Sequence, residues 1–201
     1  GKSNVRDALR FLHAVGRGYT LAETFGEKYV EGALQWRGLR GTLGEMAFRG
    51  ESFLQILVEL DISAFSPDQM FTRPVSYYIG VQVGSDEKRL HVISETLFQD
   101  QTVFFEAVRT DSQIIELKTQ NFSKRRETFA SNRPVLTQVK DRILGHDPPS
   151  HAARIRHAAE GTAKALQAMR FLDLQPSVMR QPSVPGQTTL SDRGENLSSV
   201  L

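Results

Sequence analysis

The sequence predicts an α/β protein, of the α+β kind over these 201 residues, in which one antiparallel sheet has helices before and after it. The first observation is a run of five short stretches rich in β-branched and aromatic residues, at 52–61, 75–83, 89–96, 102–110 and 112–118. Turn residues, rather than helices, separate these stretches. Because parallel strands need long crossover connections, such close spacing favours an antiparallel meander. The second observation is helical periodicity on both sides of this run.

The first helix is predicted from an apolar stripe near the amino terminus. Its members recur at helical spacing and are Val5, Ala8, Leu9, Leu12 and Val15. Gly16 and Gly18 then supply the stop expected at the carboxyl end of a helix. Residues 17–50 are rich in glycine, and we expect loops around two short helices there, near 21–29 and 43–48.

The chain after the strands is predicted to be mostly helical. A polar loop is expected first, and the later segments are helices at 135–144 and 150–169, a strand at 171–174, a Pro/Gly/Ser-rich linker at 175–189, and the start of a further helix at 194–201. The second helix is rich in alanine. Its expected buried positions are Ala153, Ile155, Ala158, Ala159, Ala163 and Leu166.

Charge is unevenly distributed along the chain. Residues 1–116 hold 12 Lys and Arg against 16 Asp and Glu, whereas residues 117–170 hold 11 against 4. A basic segment of this kind can serve a polyanion such as DNA, although solvated helix faces carry such charge more often. The absence of cysteine excludes disulfides and thiolate chemistry and is compatible with the cytoplasm. No apolar run approaches the ~18 residues that a membrane-spanning helix needs.

The densest positive cluster is Lys124, Arg125 and Arg126, which makes these three residues candidate DNA contacts. Phe122 and Phe129 flank the cluster. Such aromatic residues could stack on bases, but their spacing also suits the anchoring of a loop on the core. Of the two interpretations, the anchoring of a loop on the core is favoured.

The amino terminus carries the most informative short motif. Gly1, Lys2, Ser3 and Asn4 stand directly before the first helix and match the second half of a phosphate-binding loop, G-x-x-x-x-G-K-[ST]. In that loop, backbone N–H groups surround the phosphates, the lysine reaches the β- and γ-phosphates, and the hydroxyl binds Mg²⁺. The preceding strand and the first five loop residues would lie upstream of Gly1. The same residues also fit an ordinary helix start in which Ser3 caps the helix and no nucleotide binds.

Three stretches carry a resemblance to a known family. They are GKSNVRDALRFL at the start, YYIGVQV followed by RLHVISETL in the strands, and MRFLDLQPSVMRQPSVPGQTTLSDRGENLSSVL at the end. Together they resemble the RecF/SMC-like ATPases of the ABC class. The resemblance is greatest to the bacterial "AAA family" predicted ATPases related to the overcoming-lysogenization-defect proteins.

This resemblance implies a partial P-loop NTPase core with an antiparallel β lobe and an inserted helical segment. The chain would be the amino-terminal part of one ATPase domain and would begin inside the Walker A loop. Residues 1–50 would hold the P-loop helix and the following helices and loops, and residues 51–118 the β lobe. Residues 119–170 would be the helical segment, and 171–201 a return strand, a linker and the start of a truncated helix.

The resemblance also implies site residues and the cofactors ATP and Mg²⁺. Gly1 and Lys2 would contact phosphate, Ser3 would bind Mg²⁺, and Asn4 would lie in the first helical turn. The family's Walker B strand, signature helix and switch histidine would lie downstream. Enzyme activity therefore belongs to the longer protein, and these 201 residues are not expected to hydrolyse ATP by themselves.

Two glutamines are candidates for the Q-loop of the family, which senses Mg²⁺ and the attacking water. Gln175 and Gln181 both follow the expected return strand, and nothing in the sequence selects one of them. Glu95, in contrast, is assigned a structural hydrogen bond at a strand end, because no second carboxylate is paired with it.

The partners that the resemblance implies are a second copy, joined through the ATPase heads, and DNA. A nuclease or another effector is a further candidate, no membrane is involved, and the location is the cytoplasm. The biology would be DNA repair or defence against phage. One rival is a non-enzymatic α+β module that binds an anionic partner through basic helices. Another is a P-loop kinase or GTPase, against which the long meander argues, since those folds continue with βα units.

Overall fold

The computed structural model describes most of the chain, namely residues 2–40, 53–66, 70–84, 90–111, 113–118, 127–139, 149–171, 176–180, 182–186, 188 and 195–200. These residues form two compact units, Gly1–Ala168 and Met169–Leu201. Antiparallel sheets and a few helices make up the first unit, so the predicted α+β class is confirmed. The helix expected near 43–48 lies outside the described residues.

The first unit begins with two helices and a hairpin. They are α1 (Lys2–Gly16), α2 (Leu21–Phe25), β1 (Lys28–Val30) and β2 (Ala33–Trp36). Thr20 and Glu23 form a capping box at the start of α2, because each side chain accepts a hydrogen bond from the backbone N–H of the other residue. The helix expected over 21–29 therefore ends early, and the hairpin was not predicted. Its turn consists of Glu31 and Gly32, which both have positive φ, 50° and 79°.

Six strands form the main sheet, in which every neighbouring pair is antiparallel and the spatial order follows the chain. They are β3 (Phe53–Leu60), β4 (Val75–Gln82), β5 (His91–Gln99), β6 (Thr102–Arg109), β7 (Ile114–Lys118) and β8 (Glu127–Ala130). The predicted meander is thus confirmed. The last strand was expected to be part of a polar loop, but its four residues pair in register with β7.

One face of the sheet is buried. Along β4, Val75, Tyr77, Ile79 and Val81 are fully buried, whereas Tyr78 is only half-buried, as expected for a strand with one face on the core. Two helices, α3 (Val135–Val139) and α4 (Pro149–Gln167), pack on the sheet and on each other. The expected buried positions of α4 are confirmed, except that Ala153 is half-buried.

Helix α1 packs on α4, but only part of the predicted apolar stripe is buried in doing so. Leu12 and Val15 are buried, but 62% of Val5 and 37% of Leu9 are exposed. Phe11 and Ala14 are buried as well, so the packed face is rotated and confined to the carboxyl-terminal half of the helix. The prediction was wrong in this respect because periodicity gives the spacing of a stripe but not the direction from which the neighbouring helix approaches.

At the carboxyl ends of α1 and α4, a side chain of each helix forms a hydrogen bond to a backbone carbonyl group of the other. The Gln167 side chain donates from Nε2 to the Gly16 carbonyl oxygen at 2.6 Å. At the same place, Nδ1 of His13 lies 3.2 Å from the Leu166 carbonyl oxygen. Helix ends leave carbonyls without intrahelical partners, so these two side chains satisfy groups on the neighbouring helix.

The second unit contains two short helices, α5 (Pro176–Met179) and α6 (Leu197–Val200). The first lies within the predicted linker, which is therefore not wholly irregular, and the second confirms the helical turn predicted at the end. The Ser183 and Ser198 hydroxyl oxygens are 2.7 Å apart and hydrogen-bonded. Gln175, Gln181 and all but the first residue of the expected 171–174 strand lie outside the described residues.

Candidate functional site

Helix α1 begins at Lys2, within the predicted phosphate motif. Its first turn contains no acidic residue, and the first N–H groups of any helix lack intrahelical acceptors. Asn4 lies in that turn, as predicted, and its side chain is exposed. Gly1 and the side chains of Lys2 and Ser3 fall outside the part of the chain that is described. The backbone at this helix start thus suits an anion.

Four arginines and one carboxylate surround the first three turns of α1: Arg6, Asp7 and Arg10 belong to the helix, and Arg37 and Arg40 come from the residues after the hairpin. Burial lowers the pKa of Arg10, and the positive charges of Arg6, Arg40 and Arg37 lower it further. We call these four residues the arginine cluster. Asp7 offsets part of its charge, because Arg40 donates to both oxygens of the Asp7 carboxylate at 3.1 Å. The cluster therefore keeps a net positive charge.

Arg10 is held in place by the hairpin and by the residues that directly follow it. Its guanidinium lies 5.0 Å from the ring centroid of Trp36 and donates to the Gly38 carbonyl oxygen at 3.1 Å. Trp36 itself donates from Nε1 to the Thr24 carbonyl oxygen at 3.0 Å, which ties the hairpin to α2. Nε of Arg10 is buried and has no hydrogen-bond partner among the described residues. The hairpin thus fixes the buried end of the arginine cluster.

A cleft of about 370 Å³ opens between α1 and β3. Most of its wall is apolar, and Phe11 and Phe25 meet there with ring centroids 5.8 Å apart. The complete lining is Asn4, Asp7, Ala8, Phe11, Phe25, Leu39, Arg40, Phe53, Leu54, Gln55 and Ile56. A concave, mostly apolar cleft with a few polar groups at its edge has the character of a small-molecule site. It lies alongside the amino-terminal half of α1.

Glu95 is the most strongly perturbed carboxyl group among the described residues. It is fully buried, and its oxygens accept hydrogen bonds from the Tyr77 hydroxyl at 2.9 Å and from the backbone N–H groups of Val135 and Leu136 at 2.6 and 2.7 Å. Burial raises its pKa to about 7, and the three hydrogen bonds oppose that rise. Burial also raises the pKa of Tyr77 well above its usual value, and the nearby Glu95 raises it further.

The role of Glu95 is structural, because its carboxyl group caps α3 from the middle of β5. The expected hydrogen bond at a strand end was therefore misplaced, since Glu95 is the fifth of the nine residues of the strand. No second carboxylate contacts it within the described residues, and it does not line the cleft beside α1. A catalytic acid would need access to a substrate, which full burial denies it.

Several of the site residues that the sequence predicted cannot be placed in this site. Lys124, Arg125 and Arg126, like Gln175 and Gln181, lie outside the described residues. Among the residues that are described, no group of three or more His, Cys, Asp or Glu side chains could hold a metal ion. No helix there is long and apolar enough to cross a membrane.

Neither the arginine cluster nor the cleft was predicted from the sequence. Arg6 and Arg10 are separated by four residues and so share a helix face, which was a usable signal. Arg37 and Arg40 stand in the glycine-rich stretch after the hairpin, where the sequence predicted a loop and suggested no site. Searches of protein-family models, of curated proteins and of solved structures for a similar protein found no match.

Proposed function

We propose that this chain is the ATP-binding lobe of a RecF/SMC-like ATPase that couples ATP-driven joining of its head domains to DNA repair or phage defence. The observation that supports this most directly is the position of the motif. Lys2 and Ser3 are the first two residues of α1, whose first turn lacks an acidic side chain. A phosphate-binding loop requires this arrangement, with its lysine and hydroxyl at the amino end of a helix.

The roles of the residues follow from that arrangement. Gly1 and Lys2 bind phosphate, Ser3 binds Mg²⁺, and the exposed Asn4 stands beside them in the first turn. The N–H groups at the amino end of α1 stabilise the added negative charge. ATP supplies the γ-phosphate whose presence or loss switches the protein between states. The arginine cluster, along the same helix, raises the positive potential near the phosphates.

Other parts of the proposal rest on the family resemblance. Either Gln175 or Gln181 would serve as the Q-loop residue, and Lys124, Arg125 and Arg126 would contact DNA. The general base and the remaining Mg²⁺ ligands would come from a longer protein. That protein would work in the cytoplasm as a dimer of ATPase heads, with a nuclease or another effector as its partner.

The test is ATP·Mg²⁺ binding by the full reading frame, with Lys2→Ala compared with the unmodified protein. Removing one charge-assisted contact to phosphate costs about 1.5–3 kcal/mol, so we expect affinity to fall about 10- to 100-fold. Lys164→Ala is the matched control, because Lys164 is exposed on α4 and pairs there with Glu160 at 2.8 Å. Equal affinity in all three proteins would overturn the assignment.

A second candidate function is favoured by the arginine cluster, namely a non-enzymatic module that binds a polyanion. Arg37 is its most suitable probe because its side chain is exposed. If the module binds DNA through this cluster, Arg37→Ala should reduce the salt dependence of binding by about one unit of slope, while Lys2→Ala leaves ATP binding unchanged. Arg73→Ala is the control, since Arg73 is an exposed arginine of the first unit that pairs with Asp100. An unchanged salt slope would exclude the cluster as the contact.

A further inference from the structure

The cleft between α1 and β3 is lined on its helix side by a single face of α1. Asn4, Asp7, Ala8 and Phe11 have the spacing that brings side chains to one side of a helix. At a rise of about 1.5 Å per residue, these four positions extend for about 10 Å. With a volume of about 370 Å³, the cleft has the size of a pocket for a small molecule.

The strand side of the cleft is the edge of β3 rather than one of its faces. The lining residues there are consecutive, namely Phe53, Leu54, Gln55 and Ile56, whereas alternate residues of a strand point to opposite faces. In an antiparallel pair, every second residue directs its N–H and C=O groups toward the partner strand, and the residues between direct theirs away. Among the described residues β3 pairs with β4 alone. Two of the four lining residues therefore direct an N–H and a C=O group to the side of the cleft.

The apolar wall of the cleft is only partly covered by the protein itself. Leu54 and Ile56 pair with Val81 and Ile79 of β4, which are fully buried, yet both lining residues are only half-buried. Beside them, 47% of Phe53 is exposed. A ligand that filled the cleft would remove this apolar surface from water, which favours binding.

The polar groups in the lining are balanced in charge. Its two charged residues, Asp7 and Arg40, form the doubly hydrogen-bonded ion pair, and Asn4 and Gln55 carry uncharged amides. An ionic ligand would bring a charge into a mostly apolar site in which the counter-charges already neutralise each other. The lining therefore favours an uncharged ligand, and its three phenylalanine rings favour a flat aromatic one.

We propose that this cleft binds a purine ring, supplied by a free nucleoside or by the base of a nucleotide. The apolar wall contacts the faces of the ring. The N–H and C=O groups at the edge of β3 bind the edge of the ring, where adenine has an acceptor nitrogen next to a donor amino group. A nucleotide as the source rests on the proposed function, because Asn4 lies both in the cleft and beside the phosphate motif.

An added peptide strand could use the same backbone groups of β3, but it fits the cleft less well. Strands that are added to a sheet edge pair along its length. The cleft reaches only four of the eight residues of β3 and does not continue along the rest of the strand. A compact ring matches this extent better than an extended chain does.

Adenosine is the probe, because it carries the ring without phosphates and tests the cleft apart from the phosphate motif. For a ligand of its size we expect a dissociation constant on the order of 100 μM in calorimetry with the full reading frame. Ala8→Leu should weaken binding at least about tenfold, because the longer side chain fills the middle of the cleft. Ala153→Leu is the matched control and should bind adenosine unchanged, since Ala153 is a half-buried alanine of α4 outside the lining.

Purine riboside tests the contact at the ring edge in the unmodified protein. It lacks the amino group of adenosine, so a C=O group of β3 loses its donor, and binding should weaken about two- to tenfold. Equal affinity for the two nucleosides would overturn the edge contact. No binding at millimolar adenosine, or equal weakening by the two alanine substitutions with unchanged circular dichroism, would overturn the site.

Competition with ATP identifies the source of the ring. Displacement of adenosine by ATP in the unmodified protein would assign the cleft to the base of the nucleotide. Adenosine that stays bound at saturating ATP would assign it to a free nucleoside. If the Lys2→Ala comparison fails to support the ATPase while Ala8→Leu still blocks adenosine, the proposed function is overturned and the purine site stands.

Discussion

Replacing Glu95 with alanine is expected to destabilise the protein by about 3 kcal/mol or more. The change leaves three buried donors without their acceptor, namely the Tyr77 hydroxyl and the N–H groups of Val135 and Leu136. Each buried donor left unpaired costs about 1–3 kcal/mol, partly offset where water enters the new space. Urea unfolding of the full chain at pH 5 measures the loss. Glu106→Ala, on the exposed face of β6, is the control and should change the unfolding free energy by less than about 0.5 kcal/mol.

The same residue gives the unmodified protein a pH dependence. The pKa of Glu95 is about 7 when folded and near 4.5 when unfolded, so the folded protein binds more protons between these values. The contribution of Glu95 to the free energy of unfolding therefore falls as the pH rises from 4.5 to about 7, and stays level above that. The difference between the two pKa values corresponds to about 3 kcal/mol.

Glu95→Ala should remove most of this slope, because no carboxyl group is left at that position to titrate. Unfolding measured at several pH values between 4.5 and 7.5 compares the two proteins. If both show the same slope, Glu95 is not the titrating group. If the unmodified protein becomes more stable as the pH rises, the burial of Glu95 does not dominate its pKa.

Gly16→Ala is expected to have an effect of similar size through packing. A methyl group on Gly16 would lie 2.6 Å from Cβ of Leu166 and 2.8 Å from the carbonyl oxygen of Ala163. Both atoms belong to the rigid framework of α4, so the two helices would have to separate. Overpacking of this kind costs about 1–3 kcal/mol, and the loss of the hydrogen bond from Gln167 would add to it.

Gly161→Ala is the matched control for that change. The new methyl group there would meet the tip of the Ile62 side chain at 3.2 Å, and a flexible side chain can move away. Alanine also favours a helix interior by up to about 1 kcal/mol over glycine, so the two effects should nearly cancel. Thermal unfolding of both variants checks the comparison. A Gly161→Ala variant that is as destabilised as Gly16→Ala would show that close helix contact is not the cause.

Five strands of the meander, β3 to β7, could be predicted from the sequence because each of them is rich in β-branched and aromatic residues and is flanked by turn residues. The β1–β2 hairpin could not, since its turn is formed by Glu31 and Gly32, and glutamate is an uncommon residue at positive φ. Strand β8 was missed for a different reason. Its four residues are held by pairing with β7, which is a long-range contact that local composition does not reveal.

The candidate site was only partly predictable. The position of the motif at a helix start follows from local periodicity, and the structure agrees with it. The arginine cluster depends on the fold. Arg10 contacts the Trp36 ring and the Gly38 carbonyl oxygen, and both are far from Arg10 in the sequence. The buried acceptor role of Glu95 likewise requires α3 to dock its amino end against the middle of a strand.

The hydrogen bonds that join the ends of α1 and α4 have a consequence for synthesis on the ribosome. They connect residues separated by 153 and 151 positions, His13 with Leu166 and Gly16 with Gln167. At translation rates of about 5–20 residues per second, α4 is synthesised on the order of ten seconds after α1. During that interval the face of α1 that packs on α4 is exposed. The nascent chain is then a natural client for chaperones, until the last helix of the first unit is complete.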